Sequence, residues 1–215
     1  MGGWWVHDWF QVGGAFLVAS WAFWVIFSIT LHELGHGWAA LWQGDSTPRD
    51  LGHMTVNPMV HMGPMSLLIF ALIGIAWGVM PVNPSRFRNR RWGDLLVAGA
   101  GPMVNLGLAI VAVIGLNVLF LVGDPQAPMF EKFETFFFLG AMLNIVLMIF
   151  NLFPVPPLDG SAVLSSLSSG YRRLLQHENA PMFGLAFLAI VFFTGIGGAL
   201  FIAARTIVGW SLITG

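Results

Sequence analysis

The residues best suited to chemistry form a histidine–glutamate pattern at the end of the first apolar segment. His32, Glu33 and His36 stand in an H-E-x-x-H sequence. Because residues four apart share one face of a helix, His32 and His36 can direct ring nitrogens at one ion. Glu33 lies about 100° around the helix from His32, where it can accept a proton from a water molecule beside the ion. Zinc suits two imidazoles, so the pattern predicts a zinc site that activates water.

The apolar surroundings of this pattern decide between a metal site and a chance occurrence. In a soluble helix the same spacing can arise by chance, because His and Glu are common there and well solvated. Near the centre of a bilayer, each ionisable group costs roughly 2.5 to 3.5 kcal/mol. Two histidines and a glutamate in an apolar run therefore need a partner, and a metal ion is the candidate.

A third ligand is expected, because catalytic zinc takes three protein ligands and leaves one position to water. Asp159 directly follows the end of a long apolar run, in the sequence NLFPVPPLDG that begins at Asn151. Three prolines break the helix there, and Gly160 allows a tight turn. Asp159 is thus a candidate ligand, and the alternative is an ordinary N-cap of the next segment.

Composition places these residues in a membrane protein. The chain has 215 residues, of which 57% are hydrophobic and only 9% charged, against roughly 25% charged residues in a soluble domain. A water-soluble globule is excluded. The net charge of −1 argues against nucleic-acid binding. The absence of cysteine rules out disulfides, iron–sulfur clusters and a thiol nucleophile.

Apolar runs predict an all-α, polytopic membrane protein in one domain covering residues 1–215. Four uncharged runs are long enough to cross a bilayer as helices: residues 12–31, 95–123, 135–158 and 179–204. The shorter run from Met65 to Met80 is bracketed by Pro64 and Pro81, which favours a re-entrant segment. We therefore expect four or more transmembrane helices and, around residues 53–85, a re-entrant segment that can contain a β-hairpin. No removed signal peptide is expected, since the N-terminus lacks a basic region and a cleavage pattern.

Three segments together resemble the site-2 protease family of intramembrane zinc metalloproteases. They are HELGH at residues 32–36, AGPMVN at residues 100–105 and NLFPVPPLDG at residues 151–160, in the family's order. The stretch from Gly52 to Pro64 also resembles the piece that follows the HExxH helix there. The resemblance implies one Zn²⁺ per chain, the zinc ligands His32, His36 and Asp159, and Glu33 as general base. It further implies that Asn151 and Asn105 bind substrate.

The function that the resemblance implies is hydrolysis of peptide bonds within transmembrane segments, in regulated intramembrane proteolysis or in clearance of signal-peptide remnants. The partners are then a transmembrane protein or peptide substrate and the lipid bilayer. Two alternatives stay open: a proteolytically inactive zinc-binding scaffold and a metal transporter. A transporter should carry further intramembrane carboxylates or histidines along a path.

Loop charges predict the orientation. If the three ligands bind one ion, both motif-bearing runs travel in the same direction, so an odd number of crossings separates them. Lys132 is the only basic residue on one side, and seven arginines lie on the other: Arg49, Arg86, Arg88, Arg90, Arg91, Arg172 and Arg173. We expect a plasma-membrane protein with its active site towards the cytoplasm and its N-terminus outside.

The remaining histidines are expected to be ordinary. His7 and His177 lie in polar ends and should be solvated. His53 and His61 follow the candidate catalytic helix and should be structural hydrogen-bonding groups rather than metal ligands.

Overall fold

Helices account for all the regular structure in the part of the chain described by the computed structural model, residues 4–177 and 180–212. These residues contain no strand. The α-helices are α1 (Trp5–Trp42), α2 (Thr47–Asp50), α3 (Pro58–Ile73), α4 (Arg90–Val122), α5 (Phe130–Asn151), α6 (Asp159–Leu167), α7 (Ser169–Leu175), α8 (Ala180–Phe193) and α9 (Ile196–Trp210), and a 3-10 turn spans Pro84–Arg86.

Three of these helices are long and apolar enough to cross a membrane: α1, the Trp92–Val122 part of α4, and α5. Outward-facing side chains on α4 such as Val111 and Ile114 are exposed, which suits a lipid surface. Helices α8 and α9 meet at a bend of 64° and make a fourth span only if they are counted together. The chain is therefore an all-α, multi-pass membrane protein, as predicted. Against the four or more spans expected, the described residues contain three, or four if α8 and α9 count as one.

The predicted re-entrant region begins as helix α3. Asn57 caps it, since its side-chain oxygen accepts a hydrogen bond from the Met59 N–H at 3.0 Å. The helix is interrupted at Gly63, whose φ of 66° lies in the left-handed region, immediately before Pro64. It ends at Gly74, where φ is 79°.

An irregular segment without strand pairing, residues 75–83, follows α3. Its backbone bonds run back to α3: Ser66 Oγ donates to the Trp77 carbonyl at 2.7 Å and accepts from the Trp77 N–H at 2.9 Å. The Val79 N–H donates to the His61 carbonyl at 2.9 Å. The predicted β-hairpin is not confirmed, because within the described residues α3 and not a second strand takes these bonds.

A buried carboxylate ties the end of α1 to the end of this segment. Asp45 is fully buried and accepts hydrogen bonds from the Thr47 N–H (3.0 Å), the Thr47 hydroxyl (2.5 Å) and the Asn83 N–H (2.6 Å). Burial acts to raise the pKa of Asp45, but these donors outweigh it and hold the pKa below its usual value. Arg86 lies 3.6 Å from Asp50, so two arginine-bearing loops, around Arg49 and Arg86, lie at the same end of the bundle.

Close helix contacts place α4 against α1 and α1 against α5. At Gly35 of α1, an added Cβ would lie 3.0 Å from the Ala100 carbonyl oxygen of α4. The Trp24 ring of α1 packs onto Gly140 of α5, and the Trp24 indole N–H donates to the Phe136 carbonyl at 2.7 Å. The H-E-x-x-H turn of α1 is therefore pressed directly against α4.

Candidate metal centre

The structure brings the two histidines of α1 together with Asp159, the first residue of α6. His32 Nε2 lies 3.0 Å from His36 Nε2, and the Asp159 carboxylate oxygen Oδ2 lies 3.1 Å from His32 Nε2 and 3.4 Å from His36 Nε2. Both histidines are buried. Among the described residues this is the one group of three or more His, Asp or Glu side chains close enough to hold a metal ion.

The spacing of the three atoms suits zinc. A tetrahedral ion with bonds of about 2.0 to 2.1 Å keeps its ligand atoms roughly 3.3 Å apart. The observed edges of 3.0, 3.1 and 3.4 Å are close to that value. Three ligands also leave one tetrahedral position for water or substrate, as in catalytic zinc sites.

Hydrogen bonding supports a cation at the centre of the triangle. His36 Nδ1 lies 2.6 Å from the Val97 carbonyl oxygen, which can only accept, so Nδ1 carries a proton and Nε2 of the neutral ring presents a lone pair. Asp159 Oδ2 is buried and has no hydrogen-bond donor. An electron-rich nitrogen and an unpaired carboxylate oxygen would repel each other unless a positive ion lies between them, so the donor set fits zinc.

Space for the ion comes from a glycine of α4. A Cβ added at Gly101 would lie 2.6 Å from His32 Nε2 and would also contact His36 Nε2. Any larger residue at this position would place its first side-chain carbon next to both ligand nitrogens. Gly101 therefore leaves a cradle of atomic size that the metal can fill.

The Pro-rich connection between α5 and α6 holds Asp159 in place. Gly160 lies so close to the preceding loop that an added Cβ would be 2.5 Å from the Phe153 carbonyl oxygen. The Tyr171 hydroxyl donates to the Pro154 carbonyl at 2.5 Å and ties α7 to the same loop. Asp159 begins α6 as the alternative interpretation expected, but its carboxylate points to the histidines rather than serving as an N-cap.

Glu33 lies beside the three ligand atoms, outside the triangle. Its side chain packs against the irregular segment, residues 75–83, where a Cβ added at Gly78 would lie 2.6 Å from both Glu33 Cγ and Oε1. Glu33 and residues 75–80 line a cavity of about 660 Å³. The three candidate ligands and Asn151 line the same cavity. A carboxylate is thus held next to the candidate metal site at the wall of a cavity large enough for an extended peptide segment.

The two asparagines predicted to bind substrate occupy different environments. Asn151 lines the cavity, and its amide donates to the Leu147 carbonyl of its own helix at 3.0 Å. Asn105 is fully buried on α4; its Oδ1 lies 2.6 Å from His32 Nδ1, and its Nδ2 donates to Asn144 Oδ1 at 2.9 Å. The sequence did not single out Asn144. Its one distinguishing feature there is that an amide side chain stands in an apolar run.

The remaining histidines lie apart from the ligand triangle. His7 and His177 are exposed. His61 is buried, and its Nε2 lies 2.6 Å from the Thr55 carbonyl oxygen; its ring pairs edge-on with that of His53 at 6.1 Å.

The fold and the site together define a multi-pass membrane protein with a candidate histidine–aspartate metal centre inside its helical bundle. Known proteins match the chain in sequence. Residues 122–194 match the family described as "Peptidase family M50". Three relatives align in sequence with 65% to 82% of the chain.

"Putative zinc metalloprotease YwhC" of Bacillus subtilis is 35% identical over 179 residues, covering 80% of each chain. "Putative zinc metalloprotease Rip2" of Mycobacterium tuberculosis is 31% identical over 183 residues, covering 82% of this chain and 66% of the relative. "Putative zinc metalloprotease sll0528" of Synechocystis is 31% identical over 140 residues, covering 65% of this chain and 29% of the relative. No solved structure matches the chain.

The chain belongs to peptidase family M50, the site-2 protease family. The predicted family membership is thereby confirmed, and so is zinc as the cofactor.

Proposed function

We propose that this chain is an intramembrane zinc endopeptidase that hydrolyses peptide bonds in transmembrane segments of other proteins. One observation carries the proposal: three ligand atoms of His32, His36 and Asp159 converge beside Glu33 on a cavity within an apolar helix bundle. The biological roles that fit are regulated intramembrane proteolysis and clearance of signal-peptide remnants.

His32, His36 and Asp159 would hold the zinc ion. When bound, zinc would polarise the scissile carbonyl and acidify a water molecule. Glu33 accepts the proton of the attacking water and then donates it to the leaving amide nitrogen. Its tight contact with Gly78 fixes the carboxylate at the cavity wall during both transfers.

The irregular segment, residues 75–83, offers a backbone edge for binding the unwound substrate. The backbone groups of Trp77 and the N–H of Val79 turn towards α3. Because successive residues of an extended chain direct their backbone groups to opposite sides, those of Gly78, which lines the cavity, would turn away from α3. A peptide added along this edge would pair with them as an additional strand. Asn151, which lines the same cavity, supplies a further polar contact to the substrate backbone.

Orientation follows from the arginine-bearing loops, which lie at one end of the bundle. We propose that this end faces the cytoplasm, which admits water to the site from that side, and that the N-terminus lies outside. The chain lacks cysteine, so single cysteines introduced at Ser85 and Gln126 can be labelled in intact cells. An impermeant maleimide should label Gln126→Cys and spare Ser85→Cys. The reverse labelling pattern would contradict the proposed orientation.

Reconstitution with a panel of transmembrane peptides tests the activity. Wild-type protein should cleave at least one peptide, and Glu33→Gln should abolish cleavage while retaining about one zinc per chain. Glu131→Gln is the matched control, because Glu131 is an exposed carboxylate in the first turn of α5. Equal cleavage by wild type, Glu33→Gln and chelator-treated protein would refute the proposal. Zinc retention with no cleavage of any peptide would favour the scaffold alternative.

A further inference from the structure

A buried pair of asparagines links helix α5 to the candidate zinc ligand His32. Asn144 and Asn105 are both fully buried. The Asn144 amide lies 2.9 Å from the Gly140 carbonyl of its own helix, Asn105 lies 2.9 Å from Asn144, and His32 Nδ1 lies 2.6 Å from Asn105. The chain of contacts therefore runs from a backbone carbonyl, through two side-chain amides, to the imidazole.

The backbone carbonyl determines the direction of every hydrogen bond in this chain. The Gly140 oxygen can only accept, so the amide nitrogen of Asn144 must face it. The Asn144 oxygen then faces Asn105 and requires the Asn105 nitrogen opposite. The Asn105 oxygen in turn faces His32, which must donate from Nδ1. His32 Nε2 is left without a proton and presents a lone pair to the metal site.

We propose that Asn144 is a positioning residue that fixes the tautomer and ring orientation of His32 through Asn105. The counterpart at His36 is direct, because the Val97 carbonyl accepts from its Nδ1 at 2.6 Å. Both imidazoles are thus held in the metal-binding tautomer by a backbone carbonyl. Partners of this kind raise metal affinity by about 10- to 100-fold. The inference rests on the proposed zinc ligation by His32, and it does not depend on proteolysis.

Zinc affinity measured by chelator competition on the full chain in detergent is the primary test. Asn144→Leu keeps the side-chain shape but removes the amide oxygen and nitrogen. The Asn105 amide is then free to rotate and present its nitrogen to His32. We expect a 10- to 100-fold weaker affinity for zinc. Asn117→Leu is the matched control: Asn117 also donates to the carbonyl four residues earlier, Val113, at 2.9 Å, but far along α4 from the site.

A double substitution distinguishes relay from independent effects. Because Asn144 acts through Asn105, Asn105→Leu with Asn144→Leu should weaken zinc binding no more than Asn105→Leu alone. Wild-type affinity in a folded Asn144→Leu protein would overturn the proposal, and so would additive losses in the double variant. If Asn144→Leu fails to fold, Asn144→Ser provides the same comparison. Its hydroxyl can bond back to the Gly140 carbonyl but is too short to reach Asn105 as the amide does.

Nitrogen-15 spectra of ring-labelled histidine in the zinc-loaded protein provide a readout that general destabilisation would not move. The wild type should show a hydrogen-bonded, slowly exchanging Nδ1 proton on His32, and Asn144→Leu should shift that signal and speed its exchange. The His36 signal, held by Val97, should stay unchanged. Identical His32 signals in wild type and Asn144→Leu would overturn the proposal. A protein that cleaves no peptide but shows these changes would refute the proposed function alone.

Discussion

Adding a single methyl group at Gly101 tests whether the cradle between α4 and the two histidines is the metal site. The added carbon of Gly101→Ala would lie 2.6 Å from His32 Nε2. Non-bonded carbon atoms prefer separations of about 3.5 Å or more, so the His32 ring would have to move by about 0.9 Å. Zinc ligands tolerate errors of about 0.2 Å. The methyl group thus occupies the space that the ion needs and displaces the ligand atoms that hold it.

The expected loss of zinc affinity for Gly101→Ala exceeds that of a lost outer partner, so it should be at least about 100-fold, or about 2.7 kcal/mol. The clash with the two rings should also lower the unfolding free energy by about 1 to 3 kcal/mol, offset in part because alanine favours a helix interior over glycine by up to about 1 kcal/mol. Zinc content after dialysis against a graded chelator series measures the first quantity. Thermal unfolding of the zinc-free protein in detergent measures the second.

Gly99→Ala is the matched control for this experiment, since an added Cβ at Gly99 meets nothing within 4 Å. The same substitution two residues away on the same helix should leave zinc affinity within about threefold of wild type, a difference below 1 kcal/mol. If Gly101→Ala binds zinc as tightly as Gly99→Ala, the ion does not lie between α4 and the histidines. The assignment of His32 and His36 as joint ligands would then be wrong.

Three further substitutions test other parts of the arrangement. Gly78→Ala should displace the Glu33 carboxylate, because the new Cβ lies 2.6 Å from it, so peptide cleavage should fall at least tenfold with zinc content unchanged. Asp45→Ala should lower the unfolding free energy at pH 7 by about 2 kcal/mol, since charge-assisted hydrogen bonds are lost. The lowered pKa of Asp45 means that its contribution is present at neutral pH, begins to be lost as the pH falls below about 4 and is gone only below the lowered pKa, so the difference in thermal unfolding between wild type and variant should shrink as the pH falls through this range. Gly140→Ala should drive Trp24 off α5 and lower the thermal unfolding midpoint by several degrees.

The three candidate ligands could be predicted because charge is costly in a bilayer. In an apolar run, His32, Glu33 and His36 have few alternatives to a metal, and Asp159 directly follows the end of another apolar run. The structure brings the three predicted ligands within 3.4 Å of one another. Their chemical roles stay predictions that the zinc and cleavage measurements address.

The path of residues 53–85 was harder to predict, because short apolar stretches with glycine and proline suit both helix and extended chain. Pro64 correctly indicated a break, since α3 is interrupted at Gly63 immediately before it. The helix ends at Gly74. Apolar composition could not reveal that Ser66 of α3 would satisfy the backbone of Trp77. That pairing involves residues eleven apart, and no local pattern encodes it.

The asparagines show why a polar residue in an apolar helix does not by itself identify a site. Asn117, Asn144 and Asn151 each donate to the carbonyl four residues earlier, which satisfies half of a side-chain amide inside a membrane without any function. A sequence cannot distinguish the three on this basis. What differs is the other half of the amide: the Asn144 oxygen meets Asn105, whose own oxygen meets His32. Because each buried amide must place donor against acceptor, the Gly140 carbonyl sets the orientation of both amides and, through them, of the His32 ring. Only the packing of α1, α4 and α5 brings these groups together.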